Sequence, residues 1–349
     1  MSSYSILILI LYILTVTSAV VVRNINKKTG QVCALLVAAI SYLAAAFRPH
    51  HFPDVNSYGD IYEHASTGDL ANPDYWAAHG EPFFKIICYL ISLADVNYDG
   101  FLLLMSLLSL TMLIIISYIS KISFAYLWLG YFSFYFITRD LGVLRLSIAS
   151  HLIVISMFQK TYIRQLIILV FASISFQYFA FIAIIPRILS RYTPRFSVII
   201  LLIVLSAIIG SYVDFNTLAS LAPDKFSEGY EFNIQLHRGG LSILPPVIRN
   251  LFFCLVLYFL LKNELNFHQI RLWIWSSVFS VLAYLTAAGI LIIAQRFSAY
   301  FGVIYPIAFA YLLSKKDLSI FKYYLIVILC VINFMSLFYF NDFVWRLTK

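Results

Sequence analysis

Long apolar stretches separated by short polar ones recur through most of the chain, at the length a helix needs to cross a bilayer. A spanning helix takes about 17–25 apolar residues, and residues 4–22, 31–47, 100–119, 122–138, 141–158, 196–213, 245–261, 272–293, 297–313 and 319–340 fit that requirement. These predict ten spans. Two further apolar stretches are weaker: residues 83–94 are too short to cross, and residues 165–186 are interrupted by Ser173, Ser175 and Gln177. The first is expected to lie along the membrane surface and the second to dip in and return as a re-entrant helical pair. The fold class that follows is an all-α polytopic membrane protein, with about ten transmembrane helices plus a surface helix and a re-entrant pair.

Composition supports this reading, since 62% of residues are hydrophobic and only 11% charged, far from the balance of soluble domains. Residues 4–22 have a signal peptide's apolar core but not its charge order. No positive charge precedes them, and Arg23, Lys27 and Lys28 follow, so they are expected to be a retained span. With ten spans, one side gathers Arg23, Lys27, Lys28, Arg187, Arg191, Arg195, Lys315, Lys316 and other basic residues against Glu264 and Asp317 alone. The positive-inside rule makes that side cytoplasmic. Membrane topology therefore accounts for the net charge of +8, and no nucleic-acid partner is expected. Two long loops, residues 48–99 and 214–244, fall on the outer face of a single transmembrane domain, residues 1–349. Cys33, Cys88, Cys254 and Cys330 stand far apart and read as packing residues.

Candidate chemistry concentrates in the outer loops. The first holds Asp54, Asp60, Glu63, Asp69, Asp74 and Glu81 together with His50, His51, His64 and His79. Carboxylates there can supply a general base and hydrogen bonds to sugar hydroxyls. No HxH or HxxxH spacing occurs, so no metal site is expected. Arg139, Asp140 and Arg145 form a second cluster at the start of a span, where ionisable groups usually face a protein-lined path. Guanidinium presents paired donors to phosphate oxygens, and the same reasoning applies to Gln295 and Arg296, with Tyr300 four residues on. In the second loop HRGGLSILPPVIRN offers His237, Arg238 and Arg249, with Gly239 and Gly240 allowing close backbone approach. Nucleotide-binding glycine loops are absent, and no cofactor is expected.

Several local marks coincide: Arg48 followed by Asp54 and Tyr58, Glu81 opening EPFFKIICYLISL, the segment RDLGVLRLSIA, and the late AQRFSAYF. In this arrangement the chain resembles the Wzy and EpsG-like membrane polymerases that assemble O-antigen and exopolysaccharide repeat units. The segment from Glu81 to Tyr118 also resembles the start of membrane-embedded lipid-linked sugar transferases, which implies a surface helix over residues 83–94. The group often carries a Phe-His pair after the basic loop, whereas this chain has Phe176 and Gln177.

The resemblance implies a glycosyltransferase that joins undecaprenyl-pyrophosphate-linked oligosaccharides at the outer face of the bacterial inner membrane. Its implied partners are that lipid-linked oligosaccharide, membrane lipid and a chain-length regulator protein. Asp54 is then the expected general base and Glu81 an orienting or sugar-binding carboxylate. Arg139, Arg145 and Arg296 are the expected pyrophosphate binders, with Arg48, Tyr58, Arg249, Gln295 and Tyr300 as further substrate contacts. The rival readings are an O-antigen ligase or another lipid-linked glycosyltransferase, and a flippase for such lipids, which should carry broken helices or ionisable residues near the midplane.

Overall fold

The computed structural model describes residues 3–49, 52, 55–67, 80–212, 244–287 and 291–340. Every regular element among them is helical. The contacts divide the chain into two compact units, one of residues 1–181 and 306–349 and one of residues 182–305.

The first unit opens with α1 (Ser3–Asn24) and α2 (Lys27–Ala46), a tight pair joined at Asn26. The Asn26 side chain starts α2 by accepting the backbone N–H of Lys28 at 2.8 Å, the usual satisfaction of an orphan donor at a helix start. Two short helices lie within the expected outer loop 48–99. They are α3 (Val55–Thr67) and α4 (Pro82–Ser92), and α4 is a short helix at the position where a surface helix was expected. At 11 residues it is about 16 Å long, well short of a bilayer. Asn97 then caps α5 (Tyr98–Ser120) through the N–H of Gly100.

The segment expected as one span over residues 122–138 is divided. It comprises α6 (Phe124–Tyr131), a π-helical turn (Phe132–Phe136) and α7 (Ile137–Arg139). The widened turn holds Phe132 and Phe136 fully buried, with their rings packed edge-on to Trp128 at 5.1 and 5.4 Å. Buried polar bonds fix its position: Ser133 Oγ meets Tyr12 Oη at 2.9 Å, and Asn333 Nδ2 donates to the Ser133 carbonyl at 2.8 Å. Such π-turns commonly mark functional sites. Nearby, a Cβ on Gly130 would stand 2.5 Å from the carbonyl oxygen of Pro306, so only glycine allows the two backbones to approach so closely.

After a turn at residues 140–143 come α8 (Leu144–Met157) and α9 (Tyr162–Ser175). The backbone breaks after Ser175 and resumes in a 3₁₀ turn (Ala180–Ile184) that leads into α10 (Ile185–Leu189) of the second unit. This helix, break and helix follow the interruption that Ser173, Ser175 and Gln177 predicted. Ser173 takes part in the break itself, since its hydroxyl accepts the N–H of Phe181 at 2.8 Å.

The second unit packs α10, α11 (Phe196–Tyr212), α12 (Leu244–Leu261) and α14 (Leu291–Gly302) around the central α13 (His268–Thr286). Small hydroxyl residues seal the α13–α14 seam, with Ser276 bonded to the Phe301 carbonyl and Ser280 to Ser298, both at 2.8 Å. The chain closes with α15 (Ile304–Ser314) and α16 (Ile320–Phe340). The segment expected to span over residues 297–313 runs through α14 and α15, with a single turn residue, Val303, between them.

Six helical segments among the described residues are long and apolar enough to cross a membrane: α1, α2, α5, Pro245–Glu264, Ala294–Ser314 and Ile320–Phe338. The protein is accordingly a multi-pass, all-helical membrane protein. Of the other expected spans, residues 122–138 are interrupted by the π-turn, and α8 and α11 form shorter apolar helices of 14 and 17 residues.

Candidate functional site

Four separate stretches of the first unit converge on Arg145. The residue stands in the first turn of α8, after Val143 at the N-cap, where backbone N–H groups lack helical partners. Its own N–H is received by the hydroxyl of Tyr58, on α3, at 3.3 Å. Its guanidinium forms an ion pair with Glu81 and lies 5.5 Å from the ring centroids of both Tyr58 and Phe84. Both charged side chains are nearly enclosed, at 11% and 6% exposure, so the pair operates in a medium where charges interact strongly.

Glu81 is delivered by a short backbone device. Gly80 adopts a φ of +128°, which L side chains rarely take. A Cβ there would also stand 3.4 Å from the Lys85 side chain and 3.8 Å from Arg145 Nη1. Pro82 then begins α4 directly after Glu81, as suits a first helical position. Tyr178, in the break after α9, fastens the turn by donating its hydroxyl to the Gly80 carbonyl at 3.1 Å. Burial and the nearby Glu81 carboxylate raise the Tyr178 pKa.

Two further cations are buried here, Lys85 beside the pair and Arg48 within reach of Tyr58. Lys85 follows Glu81 by four residues and is 2% exposed; burial lowers its pKa, and Arg145 adds to the lowering while Glu81 opposes it. Arg48, just beyond α2, is 4% exposed and bonds through Nη1 to the carbonyls of Ala45 at 3.1 Å and Asp140 at 2.9 Å. Its Nε and Nη2 are buried without a hydrogen-bond partner. Buried donors are almost always satisfied, so Arg48 presents unused capacity for an anion. Tyr58 interacts electrostatically with both Arg48 and Arg145.

Behind the site a buried polar node sets the turn before Arg145. Asp140 accepts hydrogen bonds from the hydroxyls of Tyr131 and Ser147, both at 2.6 Å. Tyr131 ends α6 immediately before the π-turn, while the backbone N–H groups of Asp140 and Leu141 both return to the Phe136 carbonyl. The widened turn therefore positions the carboxylate that anchors the Arg145 helix.

Of the residues expected from sequence, Arg48, Tyr58, Glu81 and Arg145 are brought together here. Arg139 is turned inward instead: it bonds to Ser150 and lies over the Tyr135 ring, 3.5 Å from its centroid. Arg249, Gln295, Arg296 and Tyr300 belong to the second unit. There Gln295 and Arg296 are exposed, Arg249 is partly buried and Tyr300 is buried. Asp54, His50, His51, His79, His237 and Arg238 lie outside the described residues.

Gly80, Lys85, Tyr178 and the Asp140 node escaped the sequence reading. The Glu81-to-Lys85 spacing of four in EPFFK was a usable signal; the role of Tyr178 in a broken apolar stretch had none. Among the described residues no group of three or more His, Cys, Asp or Glu side chains is placed to hold a metal ion.

The family model described as "EpsG family" matches residues 31–347, a range that includes every residue of this site. No curated protein and no solved structure matches the chain.

Proposed function

The chain belongs to the EpsG family, and on that premise we propose that it is a polysaccharide polymerase acting on lipid-linked repeat units. Its substrates are undecaprenyl-pyrophosphate-linked oligosaccharides, joined at the outer face of the bacterial inner membrane. The observation that carries this reading is the buried Arg145–Glu81 ion pair with Lys85 beside it, and with Tyr58 within electrostatic reach of both Arg145 and Arg48. Guanidinium is the side chain best matched to pyrophosphate oxygens.

The reaction proceeds as a displacement at a sugar carbon. A hydroxyl oxygen of the incoming repeat unit bonds to the anomeric carbon of the growing chain, and the bond from that carbon to the pyrophosphate oxygen breaks. The electron pair leaves with the carrier pyrophosphate, where the cations stabilise the developing charge. The hydroxyl proton passes to a carboxylate base, the role we assign to Asp54. Glu81 is assigned as a sugar-binding carboxylate.

The supporting topology has ten spans, a re-entrant pair over residues 165–186, and the basic loops in the cytoplasm. Arg296 is proposed as a pyrophosphate binder and Arg249, Gln295 and Tyr300 as further pyrophosphate or sugar contacts, and a chain-length regulator is the proposed protein partner. The surface polysaccharide pattern on a gel tests the reading. In a strain lacking the gene, and in one carrying only Arg145→Ala at normal protein level, the ladder should collapse to a single repeat. A persisting ladder contradicts it, and complete loss of attached repeats points to a ligase or flippase.

A further inference from the structure

Glu81 holds an unusual position for a carboxylate at a helix start. It is the N-cap residue of α4, and its backbone already has the extended conformation of an N-cap (φ −68°, ψ 140°), yet its side chain makes no capping bond. A carboxylate there ordinarily accepts the N–H groups of the second and third helical residues, here Phe83 and Phe84. The Glu81 side chain instead reaches across to Arg145. It thereby places an anionic oxygen against the guanidinium where a phosphate oxygen would bind under the function proposed above, on which this inference rests.

We propose that Glu81 is a built-in occupant of the anion site, displaced from Arg145 by the substrate pyrophosphate onto the N-terminus of its own helix, which its side chain otherwise leaves uncapped. Three observations favour displacement over a fixed pair. Lys85 lies buried beside the pair, so a pyrophosphate that displaces Glu81 stays within reach of a second cation. The buried Nε of Arg145 itself has no hydrogen-bond partner, and a pyrophosphate can give it the acceptor that the Glu81 carboxylate does not. The backbone of Glu81 needs no change, because only its side chain must rotate to reach the amides of Phe83 and Phe84. When no substrate is present the carboxylate keeps the buried guanidinium paired, which avoids the penalty of an uncompensated charge.

The test measures binding of geranyl pyrophosphate, a short prenyl pyrophosphate, to the purified full-length protein in lipid discs. Removing an internal competitor raises apparent affinity by the inverse of the fraction of time Arg145 is otherwise free. Glu81→Gln and Glu81→Ala should each bind about tenfold more tightly than the parent protein, if that fraction is about a tenth. Arg145→Ala should lose binding. In the parent protein, which needs no substitution to fold, the probe should slow hydrogen exchange at the Phe83 and Phe84 amides severalfold. That slowing should disappear in Glu81→Ala.

Equal or weaker binding by both Glu81 variants, or unchanged exchange at those amides with the probe bound, overturns the displacement. Binding by the parent protein that survives Arg145→Ala removes Arg145 from the anion site, whatever Glu81 does. Failure of the parent protein to bind the probe overturns the pyrophosphate reading itself, and the competitor role with it.

Discussion

Arg48 donates through Nη1 to the main-chain carbonyl of Asp140 at 2.9 Å, tying the end of α2 to the turn that sets Arg145. The bond joins residues 92 apart in sequence and uses only one of the three guanidinium nitrogens. The other two are buried and unpartnered, an arrangement that disfavours the fold and makes sense if an anion completes it.

Arg48→Met should therefore separate function from stability. Replacing a buried charge with an apolar side chain of similar length is often neutral or stabilising. The melting temperature in detergent should move by no more than about 2 °C, a shift corresponding to roughly 1 kcal/mol in a chain of this size, while polymer formation falls at least tenfold. A variant that melts much earlier and keeps its polymer would show that Arg48 serves the fold.

Gly80→Ala and Gly59→Ala should differ in sign. At Gly80 the positive φ imposes strain of about 1–3 kcal/mol on a residue with a Cβ, and the new methyl group meets Lys85 and Arg145. At Gly59, inside α3, the Cβ meets only the Tyr98 ring at 3.7 Å, and alanine should add about 0.5–1 kcal/mol of helix stability. Thermal unfolding compares the two; activity should fall only for Gly80→Ala.

Tyr131→Phe removes one of the hydroxyls that Asp140 accepts from. A hydrogen bond to a charged group is worth about 1.5–3 kcal/mol, so unfolding should be easier by that amount. Because Asp140 fixes the turn before α8, polymer yield should fall as well. Ser147→Ala, which removes another hydroxyl, should behave alike, and activity loss in neither variant would detach the node from the site.

The sequence announced these features unevenly. Helix α4 was legible because its 12-residue apolar stretch was too short to span, and the break after α9 because Ser173, Ser175 and Gln177 interrupt an otherwise continuous run. Four of the expected site residues meet because each sits beside a helix end, where hydropathy marks a boundary and a charged residue stands out. The π-turn was not legible, since Phe132–Phe136 has the same composition as any apolar helix and its widening depends on partners such as Tyr12 and Asn333. That turn helps decide the environment of Arg139, so the inward course of Arg139 to Ser150 was hidden with it. Lys85 was hidden for another reason: a lysine four residues after a glutamate reads first as a local helix pair.

The central claim is that Arg145 and its neighbours drive polymerisation of pyrophosphate-linked repeat units. The most direct measurement supplies the purified protein in lipid discs with a synthetic polyprenyl-pyrophosphate-linked oligosaccharide and reads product length by mass spectrometry. The account predicts products at successive multiples of the repeat with one carrier pyrophosphate released for each bond, and none from Arg145→Ala protein that is folded and embedded normally. Successive multiples from Arg145→Ala, or no chain growth by the parent protein on an accepted substrate, would contradict it.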